Sequence, residues 1–333
     1  MSYNPDSAQT RRMPLKHRLL ALVVALMWGL NFLAIDASLQ QFPPFLLVAL
    51  RFTLIAVPTL LLIPRPQVPL RWLIGYGLGF GTLQFLFLYW AMAAGFPPGL
   101  ASLVLQSSAP FTVLLGATVF RERVSARQLA GLLVATAGLA VVGWQQAAQA
   151  AFAPFLLVLA GGLGWAIGNV SNARAAAGAA RRPNPLHVAM WMSVVPPVPM
   201  ALLSLVVEGP EAIAASFAPG PSFWPALAGL AYTVLIGTLA ASGAWTWLMS
   251  RHPAGTVAPF SMLVPVVGLS SSALLTGEDL GPAELAGAAL VIAGVLWGSR
   301  VPPVTSRRPA ASSEQERERD AAGDGSQAPA GRG

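Results

Sequence analysis

The apolar stretch QLAGLLVATAG, at Gln128 to Gly138, returns 156 positions later as ELAGAALVIAG, at Glu284 to Gly294. Outward from these cores, residues 101 to 144 align with residues 257 to 300 at the same offset. Self-similarity at a fixed spacing is typical of a structural unit that is used twice. The chain therefore contains an internal repeat, and its architecture depends on what the repeated unit is.

Charged residues are scarce between the two ends of the chain. Hydrophobic residues make up 55% of the 333 positions and charged residues only 10%, whereas a soluble domain carries about 25% charge. Residues 1–18 and 299–333 hold 16 of the 33 charged residues. The part between them cannot cover the surface of a water-soluble fold, which predicts that it lies in a lipid bilayer.

Uncharged stretches divide this middle part into ten spans, because a bilayer core of about 30 Å needs about 20 apolar residues per helix. The breakers GFPPG, at Gly95 to Gly99, and QQAAQ, at Gln145 to Gln149, predict turns within the two longest stretches. The sequence thus predicts an all-α polytopic membrane protein with ten transmembrane helices. The predicted spans are Leu19 to Ile35, Pro44 to Ile63, two between Arg71 and Arg121, two between Arg127 and Arg174, and about 186 to 207, 224 to 249, 255 to 276 and 283 to 299.

The basic residues collect on one side of these alternating spans. Nineteen of the 20 Lys and Arg residues fall on the side of the N-terminus. The charged residues of the opposite loops are all acidic, namely Asp36, Glu208, Glu211, Glu278, Asp279 and Glu284. The positive-inside rule therefore predicts cytoplasmic N- and C-termini. It also explains the net charge of +7 without a nucleic-acid partner. The twentieth basic residue, Arg51, falls within the second span.

The repeated unit contains five helices, so its two copies must cross the membrane in opposite directions. Charge agrees, because Glu122 lies between two arginines whereas its counterpart Glu278 lies beside Asp279. Inverted repeats are the architecture of secondary transporters, and a repeat that only stabilises a membrane scaffold is the alternative. The predicted organisation is a basic N-terminus at 1–18, a first repeat at 19–145, a second repeat at 151–299 and a disordered tail at 300–333.

Residues for other chemistries are few. The chain has no cysteine and three scattered histidines, His17, His187 and His252, and it lacks the spacings of zinc, phosphate-loop and serine-hydrolase motifs. We therefore predict no catalytic residue, no metal and no cofactor. A membrane enzyme and a channel stay as alternatives to a carrier.

Several motifs, taken in order and with their spacing, resemble the EamA-type proteins of the drug/metabolite transporter superfamily. They are WGLN at Trp28 to Asn31, LRF at Leu50 to Phe52, PPGLASLVLQSSAPF at Pro97 to Phe111, GN at Gly168 and Asn169, and VAPFSMLVPVVGL at Val257 to Leu269. Over about residues 19 to 299 the chain is most similar to bacterial O-acetylserine/cysteine exporters. The resemblance implies a ten-helix carrier of the cell inner membrane that exports small amino-acid metabolites, and another small metabolite or a drug is the alternative substrate.

Arg51 is the main candidate for substrate binding. A charged side chain within a membrane helix costs about 2.5–3.5 kcal/mol on insertion scales and usually faces a cavity or a partner. Its guanidinium could hold a substrate carboxylate through two parallel hydrogen bonds. The other interpretation is structural, with the side chain reaching outward or pairing with Asp36.

Further candidates are polar and aromatic residues of the predicted spans. Trp28 and Asn31 are three residues apart and Trp165 and Asn169 are four apart, so each pair shares a helix face. Gln84, Tyr89 and Gln106 are added from the third and fourth spans. We expect these residues to line a midplane cavity between helices 1 to 4 and 6 to 9, and hydrogen bonding or packing between helices is the alternative.

Two prolines mark candidate hinges. Pro110 and Pro265 are offset by 155, and each frees a backbone carbonyl within a span. Paired interruptions point to a binding region, and a static kink is the alternative. Proton coupling and the oligomeric state stay open, because no Asp or Glu lies in the middle of any predicted span and Asp36 is at a helix end.

Overall fold

The computed structural model describes residues 13–119, 124–148, 151–179, 183–252 and 254–299. Within these ranges every regular element is a helix, and there is no strand. The predicted disordered tail, residues 1–12 of the predicted basic N-terminus and Glu122 lie outside the described residues.

The described residues form eight helices that are long and apolar enough to cross a membrane, and two shorter apolar helices follow them. This confirms an all-α polytopic membrane protein of ten helices in two inverted five-helix repeats. In chain order the helices are α1 (Leu15–Leu39), α2 (Pro44–Leu62), α3 (Leu70–Ala93), α4 (Pro98–Val119), α5 (Ala126–Ala147), α6 (Phe152–Ala177), α7 (Pro185–Val207), α8 (Phe223–Arg251), α9 (Pro259–Leu275) and α10 (Pro282–Gly298).

One predicted turn is wrong in position. Gln145 and Gln146 were expected in the turn between the fifth and sixth spans, but the helical structure of α5 continues past both residues. The Gln146 side chain is buried, and its Nε2 donates to Glu284 Oε1 of α10 at 2.8 Å. The polar residues therefore continue the helix because a partner on another helix satisfies the amide. Gly95, in contrast, has a φ of +91° and forms the predicted turn between α3 and α4.

The ends of the helices meet at two opposite faces of the bundle. At one face the start of α1 contacts the end of α8, where His17 Nδ1 and His252 Nε2 are 2.7 Å apart. Arg174, near the end of α6, donates to the carbonyl of Val119 at the end of α4 on this face. This arrangement agrees with the alternation of sides that the basic residues predict.

Two carboxylates connect helices at the other face. Glu208 accepts hydrogen bonds from the backbone N–H groups of Phe45 and Leu46 at 2.6 and 3.0 Å, in the first turn of α2. Glu278 accepts from Gly99 and Leu100 at 2.9 and 3.1 Å, in the first turn of α4. Negative charge at a helix N-terminus is stabilising. Each bond pair joins a helix of the first repeat to a residue of the second.

The inverted repeat is visible in the irregular turns of corresponding helices. The middle of α3 is a π-helical segment at Gly77–Leu83, and the middle of α8 is another at Tyr232–Ala240. In each segment a threonine hydroxyl bonds to the carbonyl five residues earlier, from Thr82 at 3.3 Å and from Thr238 at 2.7 Å. The two threonines are 156 positions apart, which is the offset of the sequence repeat.

Helices α5 and α10 pack backbone to backbone through the repeated glycines. A Cβ atom placed on Gly131 would lie 2.5 Å from Gly298 Cα, and one on Gly294 would lie 2.4 Å from Ala135 N. Glycine permits this close approach, as in other membrane helix pairs. Leucine and valine side chains on the outside of the bundle are mostly exposed, for example Leu61, Val206 and Leu274, and they provide the apolar surface that lipid requires.

Candidate substrate cavity

A cavity of about 480 Å³ lies within the bundle, within the usual range of about 300–1,000 Å³ for small-molecule sites. Its lining comes from α1 to α4, α6, α8 and α9 among the described residues, so the expected contribution of helix 7 is wrong. Seven predicted site residues line it, namely Trp28, Asn31, Arg51, Gln84, Gln106, Trp165 and Asn169. The two repeats thus share one cavity.

Arg51 is held at the wall of the cavity by both repeats. Its side chain is 5% exposed. Nη1 donates to the Tyr89 hydroxyl at 2.8 Å, and Nη2 donates to Thr238 Oγ1 of α8 at 3.0 Å. The guanidinium carbon also lies 3.9 Å from the centroid of the Phe85 ring, which is a favourable cation–π distance.

The charge of Arg51 has no carboxylate partner among the described residues, and Nε is buried without a hydrogen-bond acceptor. The predicted pairing of Arg51 with Asp36 is therefore wrong. The side chain is buried, and its partners are Tyr89 and Thr238 instead of Asp36. A buried guanidinium with N–H donors beyond the two that Tyr89 and Thr238 engage is suited to binding an anion.

Tyr89 is the eighth predicted site residue, and it is not among the residues that line the cavity. Its side chain is buried behind Arg51, and its hydroxyl fixes the guanidinium. Thr238 has a similar role from the second repeat and was not predicted. Its counterpart Thr82 does not line the cavity, so the repeat offset alone does not identify Thr238 as a site residue.

Three side-chain amides line the same part of the cavity as Arg51. Asn31 Oδ1 and Gln84 Oε1 are buried without a hydrogen-bond donor. Gln106 Nε2 points at the sulfur of Met262 at 3.6 Å, and a thioether is a weak acceptor. These amides therefore keep acceptor capacity that the protein itself does not use.

Asn169 lies toward the opposite end of the cavity. Its Nδ2 donates to Thr112 Oγ1 of α4 at 3.1 Å. Asn31 is eight residues before the end of α1, and Asn169 is eight residues before the end of α6. The two asparagines therefore occupy inverted positions in the two repeats.

Aromatic side chains from both repeats line the cavity. The Trp28 and Trp245 rings are 5.2 Å apart, and Trp28 Nε1 donates to the carbonyl of Gly237 at 2.9 Å. Trp165 contacts Phe80 at 5.8 Å in an edge-to-face arrangement. Both predicted tryptophans thus line the cavity, one from each repeat.

The two predicted hinge prolines do not line the cavity themselves. Pro110 follows the 3₁₀ turn Leu105–Ser107 in α4. Pro265 follows the 3₁₀ segment Ala258–Met262 at the start of α9. Both segments contribute lining residues, Gln106 from the first and Ser261 from the second.

The fold and this cavity define a polytopic helical membrane transporter made of two inverted halves. The chain belongs to the EamA-like transporter family, which matches residues 16–144 and 153–300. It is 41% identical over 291 residues to a protein of Salmonella typhimurium named "Probable amino-acid metabolite efflux pump", covering 86% of this chain and 96% of the relative. A protein of Escherichia coli with the same name is 39% identical over 282 residues, covering 84% of this chain and 93% of the relative.

A more distant relative is similar to part of the chain, and a solved structure is similar to its fold. A "Probable terminal-alkyne amino-acid exporter" of Streptantibioticus cattleyicolor is 31% identical over 210 residues, which cover 61% of this chain and 65% of that protein. A protein crystal structure matches the fold with a TM-score of 0.58 at 24% identity, over 86% of this chain and 97% of the other. The chain is a multi-pass membrane protein and a metabolite exporter.

Proposed function

We propose that this protein is a secondary-active exporter of small amino-acid metabolites, with O-acetylserine and cysteine as its model substrates. It works in the bacterial inner membrane with cytoplasmic termini, and the repeats 19–145 and 151–299 act as its two halves. The observation that carries the proposal is the buried guanidinium of Arg51 in the wall of the cavity, which has no carboxylate partner among the described residues.

Arg51 binds the substrate carboxylate in this proposal. A guanidinium presents paired donors that match the two oxygens of a carboxylate. Tyr89 and Thr238 fix the orientation of its two terminal nitrogens. The other lining residues of the described chain include no Asp or Glu, so a substrate carboxylate meets no like charge there. This lining also disfavours an organic cation as the substrate.

Transport proceeds by alternating access. The two repeats have similar packing with opposite orientation, so exchanging their conformations opens the same cavity to the other side. Glu208 and Glu278 join the repeats at one face, and these contacts must separate when the cavity opens there. The remainder of the substrate contacts the other predicted site residues that line the cavity, namely Trp28, Asn31, Gln84, Gln106, Trp165 and Asn169.

Uptake into everted membrane vesicles tests the proposal. Vesicles with the protein should accumulate labelled O-acetylserine or cysteine, and vesicles with Arg51→Ala at equal expression should not. Purified protein in proteoliposomes, with and without a pH gradient, then determines whether protons are coupled to transport. If the vesicles take up neither O-acetylserine nor cysteine but do take up another metabolite or a drug, the proposed substrates are wrong.

A further inference from the structure

We propose that Asn31, Gln84 and Gln106 form a subsite for the substrate ammonium group next to Arg51. The cavity then selects zwitterionic α-amino acids over carboxylic acids that lack the amine. This inference rests on the proposed function, because Arg51 has to bind the carboxylate of the same molecule.

The three amides lie at nearly the same depth as Arg51. Arg51 is seven residues from the start of α2, and Gln106 is eight residues from the start of α4. Asn31 and Gln84 are eight and nine residues from the ends of α1 and α3 at the same face. At 1.5 Å per residue these Cα positions are about 10 to 14 Å below that face. All four side chains line the cavity, so they surround one level of it.

Asn31 and Gln84 have acceptors that the folded protein leaves unused. Their side chains are only 8% and 3% exposed, yet Asn31 Oδ1 and Gln84 Oε1 meet no donor. If these amides served only to join helices, their oxygens would bond to a neighbouring helix, as interhelical amides usually do. A buried polar atom without a partner requires another explanation, and a ligand donor provides one.

Gln106 adds a third acceptor. Its side chain is 7% exposed, and its nitrogen is directed at the Met262 sulfur. No donor among the described residues bonds to its Oε1. The amide nitrogen is thus engaged with the protein, and the oxygen is the end left for a ligand.

An ammonium group fits this set of acceptors. It has three N–H donors and no acceptor, whereas each amide oxygen accepts. Rotation about the terminal amide torsion, which is broad, turns the oxygens of Asn31 and Gln84 toward the cavity. A carboxylate at any of these positions would pair with Arg51 and occupy its fork. Neutral amides accept from the ammonium and leave the guanidinium available for the substrate carboxylate.

Counterflow of labelled cysteine in proteoliposomes, under a reductant, tests the subsite with three competitors. Unlabelled cysteine has both charged groups, 3-mercaptopropionate lacks the amine, and cysteamine lacks the carboxylate. The measured quantity is the half-inhibitory concentration of 3-mercaptopropionate divided by that of cysteine. For the wild type we expect this ratio to be roughly tenfold or more, because an analogue without the amine leaves the acceptors unpaired. Asn31→Leu, Gln84→Met and Gln106→Met should each reduce this ratio several-fold.

Gln145→Met is the matched control, because it removes the same amide from α5 outside the cavity. It should keep the wild-type ratio. A variant too slow for counterflow is measured by the increase that each competitor causes in its thermal unfolding midpoint. Without substrate, Asn31→Leu and Gln84→Met should unfold at or above the wild-type midpoint, since replacing an unsatisfied buried acceptor with an apolar group of similar shape is neutral or stabilising.

The outcomes separate the subsite from the proposed function. Cysteine counterflow that cysteine and 3-mercaptopropionate inhibit equally, or a wild-type ratio in all three amide variants, overturns the subsite and leaves the carrier intact. Absence of cysteine counterflow in the wild type overturns cysteine export, and the subsite with it. A reduced ratio in the three variants but not in Gln145→Met supports the subsite.

Discussion

Pro110 and Pro265 occupy the same place in the two repeats, since each is the third residue of an α-helical segment that follows a 3₁₀ turn. Proline has no amide hydrogen for the carbonyl four residues earlier. That carbonyl belongs to Gln106 in α4 and to Ser261 in α9, and both residues line the cavity. Each repeat therefore has a proline that cannot continue the α-helical hydrogen-bond pattern next to the cavity.

We expect Pro110→Ala and Pro265→Ala to slow exchange several-fold at saturating substrate. Alanine restores the backbone donor and favours a straight helix, which resists bending during the conformational change. Stabilisation of the protein by cysteine against heat should persist, because the binding residues are unchanged. Exchange rates and ligand-induced unfolding shifts are measured on the same preparations. Pro58→Ala, in a helix without a 3₁₀ turn, is the control, and an equal loss of exchange in that variant would contradict a hinge role.

Arg51→Ala should abolish export without loss of expression, and Arg51→Lys should raise the apparent KM roughly tenfold or more. Lysine keeps the charge but cannot reach Tyr89 and Thr238 while binding a carboxylate through paired donors. A lost charge-assisted hydrogen bond costs about 1.5–3 kcal/mol, which corresponds to that change. Initial rates of cysteine uptake provide the measurement. Thr53→Val, on the exposed side of the same helix, should behave as the wild type. Normal transport by Arg51→Ala would mean that the guanidinium has no role in binding.

Gly294→Ala should lower the midpoint of thermal unfolding in detergent by several degrees. The new Cβ atom would lie 2.4 Å from Ala135 N, so the backbones of α5 and α10 must separate at a cost of about 1–3 kcal/mol. Gly243→Ala is the matched control in α8, where no atom lies within 4 Å of the added Cβ. It should leave the midpoint unchanged or raise it slightly, because alanine favours helix. Equal midpoints for the two variants would argue against close packing of α5 and α10.

The pH dependence of stability should change in Glu278→Gln. Burial raises the pKa of the Glu278 carboxyl, and this effect outweighs the hydrogen bonds from Ser272, Gly99 and Leu100, which lower it. Because the folded pKa is above the unfolded value, the carboxyl contributes stability below its ordinary pKa and loses this contribution as the pH rises through the folded value. The unfolding midpoint should therefore gain more between pH 7 and pH 4 in the wild type than in Glu278→Gln. Glu211→Gln, which removes an exposed carboxylate from the short helix Gly209–Ser216, should keep the wild-type dependence. If all three proteins show the same pH profile, the Glu278 carboxyl makes no such contribution.

The spans were predictable because lipid imposes a length and a composition on every helix. The seventh and eighth spans were expected at about 186 to 207 and 224 to 249, and the helices are Pro185–Val207 and Phe223–Arg251. The π-helical segments were not predictable from one sequence. A single turn with one additional residue does not produce a recognisable change in the spacing of apolar residues. Gln146 was misplaced for a related reason, because its partner Glu284 is 138 positions away.

For the cavity, the sequence indicated which residue types were unusual but not what they contact. Arg51 was identifiable because charge within a span is costly. Its partner Thr238 is 187 positions away, and an uncharged threonine in an apolar span is common. The placement of Tyr89 behind the guanidinium depends on how α2 packs against α3. Such contacts between helices depend on tertiary packing, which the local sequence does not encode.

The guanidinium of Arg51 is hydrogen-bonded to both halves of the molecule. Its bond to Tyr89 stays inside the first repeat, whereas its bond to Thr238 crosses to the second. If the halves rock as proposed, only the bond to Thr238 has to stretch, and the guanidinium moves with the first repeat. In the proposed alternating-access cycle, the inverted symmetry of the backbone would therefore not extend to the substrate, because the first repeat would carry the bound carboxylate while the second repeat moves past it.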